Sequence, residues 1–262
     1  MYEITEIMNA VVEESPGLFT LITSGDWDGV AQHLSNNVSQ TMEAYRAHMW
    51  NILWTRGVVD TVYMVGWAVL FAMLFGLVVG FALYLTQPGG LYSSPKLNRV
   101  IGVIVNVGRS IPIIVLIILL FPLSRIIVGT SIGRTASVVP LAIAAIPFMS
   151  RVIEAALNEL GRGVIEAAVA AGASPRQIIF RVILPESAPA LVSGLTLMII
   201  NLITFSAMAG VIGGGGLGQQ AHIYGLSRFR TDVLVYTIIL FIIMVQIVQA
   251  IGQYISRKLD KR

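Results

Sequence analysis

The residues of this 262-residue chain that are equipped for chemistry are few, and many of them fall in one stretch. GVIEAAVAAGASPRQIIFRVILPESAP (163–189) sets Glu166, Arg176, Arg181 and Glu186 around Gly172, Pro175 and Pro185, in a chain that is otherwise 56% hydrophobic and only 12% charged. The types present argue for recognition rather than catalysis. There is no cysteine, hence no thiol chemistry, disulfide or Cys-based metal site. No GxxxxGK[ST] phosphate loop, HExxH or close His/Asp/Ser set occurs, so the sequence offers no nucleotide hydrolysis and no catalytic centre of its own. Gly213, Gly215 and Gly218 satisfy G-x-G-x-x-G, but they follow an apolar span and no strand precedes them, so the dinucleotide reading fails. They read instead as a tight, mobile external turn. His222 stands alone and reads as a surface residue; His33 and His48 make no metal site.

A second group of polar residues lies inside apolar runs, where lipid cannot satisfy them and they face a bundle interior. Asn201, Thr204 and Ser206 sit near Met208, whose small neighbours Ala207, Ala209 and Gly210 let a flexible, soft side chain project. Met208 is therefore a candidate gate and the four together a candidate path. Gln246, Gln249 and Gln253 share one helix face and are expected to hydrogen-bond between helices. Arg109 could hold a carboxylate, but an arginine near a span end is expected to snorkel to the headgroups.

The elements that carry these residues are membrane spans. The charged fraction is about half that of soluble domains, and mean hydropathy is +0.81. Thr61–Pro95, Ser187–Ala221 and Val233–Ser256 lack any Asp, Glu, Lys, Arg or His, each exceeding the ~20 residues a span needs. Two shorter apolar runs, bounded or interrupted by Pro112, Pro122, Pro140 and Pro147, read as kinked helices that either line a path or simply pack. The expectation is an all-α integral membrane protein of five spans, near 57–86, 108–124, 135–152, 188–212 and 232–256. Lys96 and Arg99, then Arg162, Arg176 and Arg181, and then the tail Arg257, Lys258, Lys261 and Arg262 mark the cytoplasmic loops. The C-terminus is then inside, and the N-terminus outside.

Residues 1–50 form a separate region, set apart from a 51–262 span domain. They hold seven acids and one base, too polar to span. Ile4, Ile7, Val11 and Val12 recur at helical spacing, so an amphipathic surface extension is expected, without a cleavable signal.

Within 163–189, helix-forming residues run to Ala171, Gly172 stops them, and Ser174-Pro175 opens a second helix that Leu184-Pro185 ends. Small residues at Ala167, Ala168, Ala170 and Ala171 let the first helix seat closely on a partner, with Glu166 as one directional charge. A docking helix and a re-entrant or surface helix both satisfy this pattern.

Glu166-Ala167-Ala168, Gly172 and Leu184-Pro185 resemble the EAA signature of permease subunits in bacterial ABC importers. NVGRSIP (106–112), IVGTSIG (127–133), VVPLAIAAIPF (138–148), GASPRQII (172–179), FSAMAGVIGGGGLG (205–218) and YGLSRF (224–229) extend the resemblance to methionine-uptake permeases over roughly 55–262. The resemblance implies a homodimer in the bacterial inner membrane. It also implies two cytosolic ABC ATPase subunits that bind ATP-Mg, an extracytoplasmic substrate-binding protein, and no cofactor on this chain. Gly163, Val164, Ile165, Glu166, Ala167, Ala168, Ala170, Ala171 and Gly172 would form the coupling helix. A secondary transporter would be expected to bury a titratable acid, absent from the middle of these spans; composition does not exclude a channel, which has no need of the EAA loop.

Overall fold

The computed structural model describes residues 16–260, and its chain divides into two compact units at Ile52/Leu53. In the first, α1 (Pro16–Ser24) and α2 (Trp27–Ile52) are joined by a turn in which the Asp26 carboxylate accepts the Gly29 backbone N–H at 2.9 Å. The expected helix over Ile4–Val12 lies outside the described residues.

The second unit is a helical bundle. A π turn, Leu53–Val58, leads into α3 (Val59–Thr86). Then follow α4 (Pro95–Ser110), α5 (Ile113–Leu119), α6 (Phe121–Val128) and α7 (Arg134–Asn158). On the far side of the polar loop, α8 (Arg162–Ala170) precedes a single turn α9 (Pro175–Gln177), a π turn Ile178–Ile183 and α10 (Leu184–Ala209). The chain closes with a π turn Gly210–Gly214, α11 (Gly216–Gln220), a π turn Ala221–Leu226 and α12 (Thr231–Leu259). Among the described residues four helices are long and apolar enough to cross a membrane, and five if α4 and α5 count as one bent span.

At the centre is α7, packed against α3, α4, α5, α6 and α10. Its closest partnership has a plain sequence cause: Ala68, Ala72, Gly76 and Gly80 repeat every fourth residue on one buried face of α3. A Cβ at Gly76 would stand 2.8 Å from the Met149 Cβ, and one at Gly80 2.8 Å from the Ser150 carbonyl, so only glycine allows this approach. Met149 and Ile153 of α7 fill the groove and are buried in the main core cluster. On its other side, α10 packs on α7 where Gly194 leaves room for Val152.

Three expectations are corrected. The expected span 108–124 is not one helix: α4 and α5 meet at 98°. Ile111, preceding Pro112, takes φ −79°, ψ 124°, the extended region that a following proline ring favours over the helical one. Leu184-Pro185 does not end a helix; Ile183 and Leu184 are both helical and the chain runs on into α10. The wider π turn absorbs the donor that Pro185 lacks, with the Leu184 N–H reaching the Ile179 carbonyl five residues back. Finally, α7 runs past 152 to Asn158 and carries Pro140 and Pro147 within an unbroken helix.

Candidate functional site

Between α7 and α10 the chain builds a polar corner. In α8, Ile165 and Ala168 pack toward the core while Gly163, Val164, Glu166, Ala167, Ala170 and Ala171 are exposed. The helix ends in a Schellman motif: the Gly172 N–H donates to the Val169 carbonyl at 2.9 Å and the Ala173 N–H to the Ala168 carbonyl at 3.0 Å. Gly172 takes φ +77°, as its place after the helix end demands. Ser174 then makes a capping box, its Oγ accepting the Gln177 N–H at 3.4 Å while Gln177 Oε1 accepts the Ser174 N–H at 2.9 Å. These local devices fix the bend and hold the outer face of α8 clear. Beside it, a recess of about 160 Å³ is lined by Glu166, Ile165, Asn158 and the Gln87–Leu91 turn. The Glu166 carboxylate has no hydrogen bond or ion pair among the described residues.

The candidate path residues lie on α10. Asn201 is half-buried and Thr204 and Met208 are exposed, Met208 to 40%. Ser206 is different: it is buried, and its Oγ donates to the Ile203 carbonyl at 2.6 Å. The geometry therefore groups Asn201, Thr204 and Met208 on one face and sets Ser206 into the core.

The glycine run beyond Met208 is not an open loop. Gly213, Gly215 and Gly216 have φ of +92°, +89° and +74°, folding the chain back so that α11 packs against the end of α10. Gly214, Gly215, Gly216 and Gly218 are buried, and a Cβ at Gly218 would collide with Ala207. Three elements converge here. Thr61 Oγ1 accepts the Leu217 N–H at 3.0 Å, the Gly133 N–H donates to the Gly213 carbonyl at 2.9 Å, and Arg134 pairs with Asp60 at 2.7 Å while lying over the Tyr63 ring. The two charged partners, 74 residues apart, have no local pattern from which sequence reading could find them.

A second charged group was missed: Arg151 stands at the end of the span expected over 135–152 and its partner Glu154 beyond it. Inside α7, Arg151 donates to Glu154 at 2.6 Å, to Asn106 Oδ1 at 2.9 Å and to the Gly102 carbonyl at 3.2 Å. It ties α4 to α7. The glutamines do not do what was expected of them: Gln246, Gln249 and Gln253 are exposed, with no hydrogen bond among the described residues, because α12 turns Val233, Thr237, Leu240 and Gly252 toward its neighbours instead.

A bundle of apolar helices, with a rigidly capped polar helix between two of them and a polar stripe along one, defines the class: a multi-spanning membrane permease component. Residues 72–262 match the family described as binding-protein-dependent transport system inner membrane component. Among relatives, the "Probable D-methionine transport system permease protein MetI" of Vibrio cholerae is 44% identical over 203 residues, 78% of this chain and 90% of that protein. The "Methionine import system permease protein MetP" of Bacillus subtilis is 44% identical over 180 residues, 69% of this chain and 81% of that one. A solved structure described as an inward-facing conformation of the MetNI methionine ABC transporter superposes with TM-score 0.78 at 42% identity, covering 80% of this chain and 99% of that chain. This chain belongs to the family of binding-protein-dependent transport system inner membrane components.

Proposed function

We propose that this chain is the membrane subunit of an ATP-driven importer of methionine, D-methionine and related apolar amino acids, working by alternating access. It pairs with a second copy of itself, with two cytosolic ABC ATPases that bind and hydrolyse ATP-Mg, and with an extracytoplasmic binding protein. In a bacterial inner membrane its C-terminus is cytoplasmic and its N-terminus outside. The observation that carries the reading is α8: a capped helix whose Glu166 and alanine face are left clear, framed by a bend that local hydrogen bonds make rigid. Such an element suits the transmission of an ATPase's closure into the spans, since a partner biases a conformational equilibrium only through contacts that differ between its states. The names of the relatives support the substrate. On this reading, Asn201, Thr204 and Met208 line the path and Met208 closes its outer end, with residues 1–50 an appended surface unit.

The test is co-expression with the candidate ATPase, co-purification, and ATP-dependent uptake of labelled methionine into proteoliposomes supplied with binding protein. Co-purification with uptake supports the proposal. A permease that retains no ATPase, or an assembly that hydrolyses ATP without moving methionine, overturns it.

A further inference from the structure

One face of α4 carries Asn98, Gly102, Asn106 and Arg109, spaced four, four and three apart. Each lower member of this stripe meets a protein partner. Asn98 Nδ2 donates to the Leu83 carbonyl at 2.6 Å, and Gly102 and Asn106 receive the Arg151 guanidinium. Arg109, at the top, has no hydrogen bond or ion pair among the described residues. Arg151 is balanced by Glu154; Arg109 has no such counter-charge among the described residues.

Its depth removes the snorkelling explanation. A Cβ on Gly108 would lie 2.9 Å from Pro147 Cγ, so Arg109 stands at the level of Pro147 in α7. At 1.5 Å per residue, Pro147 is roughly 20 Å from one end of that helix and roughly 16 Å from the other. An unpaired guanidinium at that depth faces an aqueous route rather than lipid.

Beside it the break between α4 and α5 opens a cavity of about 280 Å³, lined by Gly108, Arg109, Leu116, Ala144, Phe148 and Phe205 with two isoleucines. Phe205 lies three residues before Met208 on α10, so the cavity sits about one turn inward of the path's outer end. The lining divides in two. Leu116, Phe148 and Phe205 present an apolar wall, and Arg109 presents a single cation with donors suited to a carboxylate. The last carbonyls of a helix have no intrahelical partner, and Gly108 and Arg109 belong to the last turn of α4, which leaves acceptors for an ammonium group.

We propose that this cavity is a substrate site within the membrane domain. The carboxylate of a zwitterionic amino acid pairs with Arg109, and its unbranched apolar side chain lies against Phe148, Phe205 and Leu116. The proposal rests on the amino-acid import reading above and deepens it.

The chain has no cysteine, so an introduced thiol is the only thiol in this subunit and is read on its own band. In the reconstituted assembly, the thiol of Ala144→Cys is alkylated with a membrane-permeant maleimide in the presence of methionine, or of methioninamide, which lacks the anionic carboxylate. Ile111→Cys serves as a second reporter position. Methionine should protect the thiol saturably and methioninamide should not. Adding Arg109→Gln should raise the half-protecting concentration about tenfold or more, the scale of a lost charge-assisted pair, while Arg109→Lys stays within a few-fold of the parent. Equal protection by both compounds, or protection unaffected by Arg109→Gln, overturns the site. If wild-type uptake of methionine proceeds but neither thiol is protected, the site alone is wrong; if wild-type uptake fails, the import reading fails with it.

Discussion

Leu197, Asn201, Thr204, Met208 and Val211 follow one another at intervals of four, three, four and three along α10 and the π turn after it, all of them exposed or half-exposed in the single chain. That spacing suits a seam by which one helix meets another, and in a two-fold dimer equivalent residues of such a seam would face each other. Met208→Ala should then give leak of substrate or raised basal ATP hydrolysis, while Met208→Leu, which conserves volume, should behave almost as wild type. A thiol introduced by Met208→Cys should cross-link to its mate in the nucleotide-free assembly and lose that cross-link when ATP is bound. Absence of the cross-link in every nucleotide state would place the gate elsewhere. Glu166 is the other residue whose role separates from stability. Because it is exposed with no described partner, Glu166→Lys should leave thermal stability within about 0.5 kcal/mol of wild type. ATPase co-purification or substrate-stimulated hydrolysis should nevertheless be lost; both persisting would sink the coupling assignment.

At the scale of elements, the same loop shows which substitutions test function and which merely break structure. Gly172 has open space around a would-be Cβ, but its φ of +77° excludes a branched residue at any size of pocket, so Gly172→Val should unseat the Schellman motif before it says anything about coupling. The Arg151 clamp offers a cleaner test. With both partners less than a third exposed, Arg151→Met should lower stability by about 1–3 kcal/mol, read as a lower melting temperature of the detergent-solubilised chain, by leaving Glu154 unpaired. Arg151→Met with Glu154→Leu should recover part of it. What was legible in the sequence follows from the range of the forces involved. Helix caps and the Gly172 bend are decided within a few residues, so Ser174-Pro175 and Gly172 could be read directly. The start of α4 at Pro95 could not, because its polar stripe mimics a loop and is satisfied only by Leu83 and Arg151 from other helices. Asp60–Arg134 and the burial of the glycine run are likewise products of tertiary contact, and Ser206 and the glutamines depend on which side of a helix its neighbours occupy. The four-residue repeat of small residues on α3 was available as a signal for the α3–α7 contact, and it needed a known partner helix to become one.

Across the whole bundle, charge is distributed by end. The recess of about 440 Å³ lined by Ala156, Glu159, Pro185, Glu186, Leu259 and Asp260 brings the end of α7, the start of α10 and the end of α12 together. This is the end that carries α8, Arg176, Arg181, Arg257 and Lys258, and none of these four basic side chains has an ion pair among the described residues. At the opposite end Arg134 is held by Asp60 and Arg230 by Asp232, at 2.7 and 3.3 Å, so those arginines have local structural partners. An excess of Lys and Arg beside span ends is the feature that keeps a loop in the cytoplasm. On the orientation proposed above, the end bearing α8 is the inner one, and five crossings, with α4 and α5 counted as one, put the acidic region before Leu53 outside. Protease added to intact spheroplasts should cleave within residues 1–50 and leave a fragment that still carries the Leu53–Arg262 unit. Deleting residues 1–45 should leave that unit inserted and still able to bind its ATPase, since its core cluster draws only on residues from Tyr63 onward. Cleavage seen only in inside-out vesicles would invert the orientation and place the N-terminus in the cytoplasm. The α4–α5 pair could then not count as one crossing while α8 stays cytoplasmic, because four crossings, not five, put both termini on the same side.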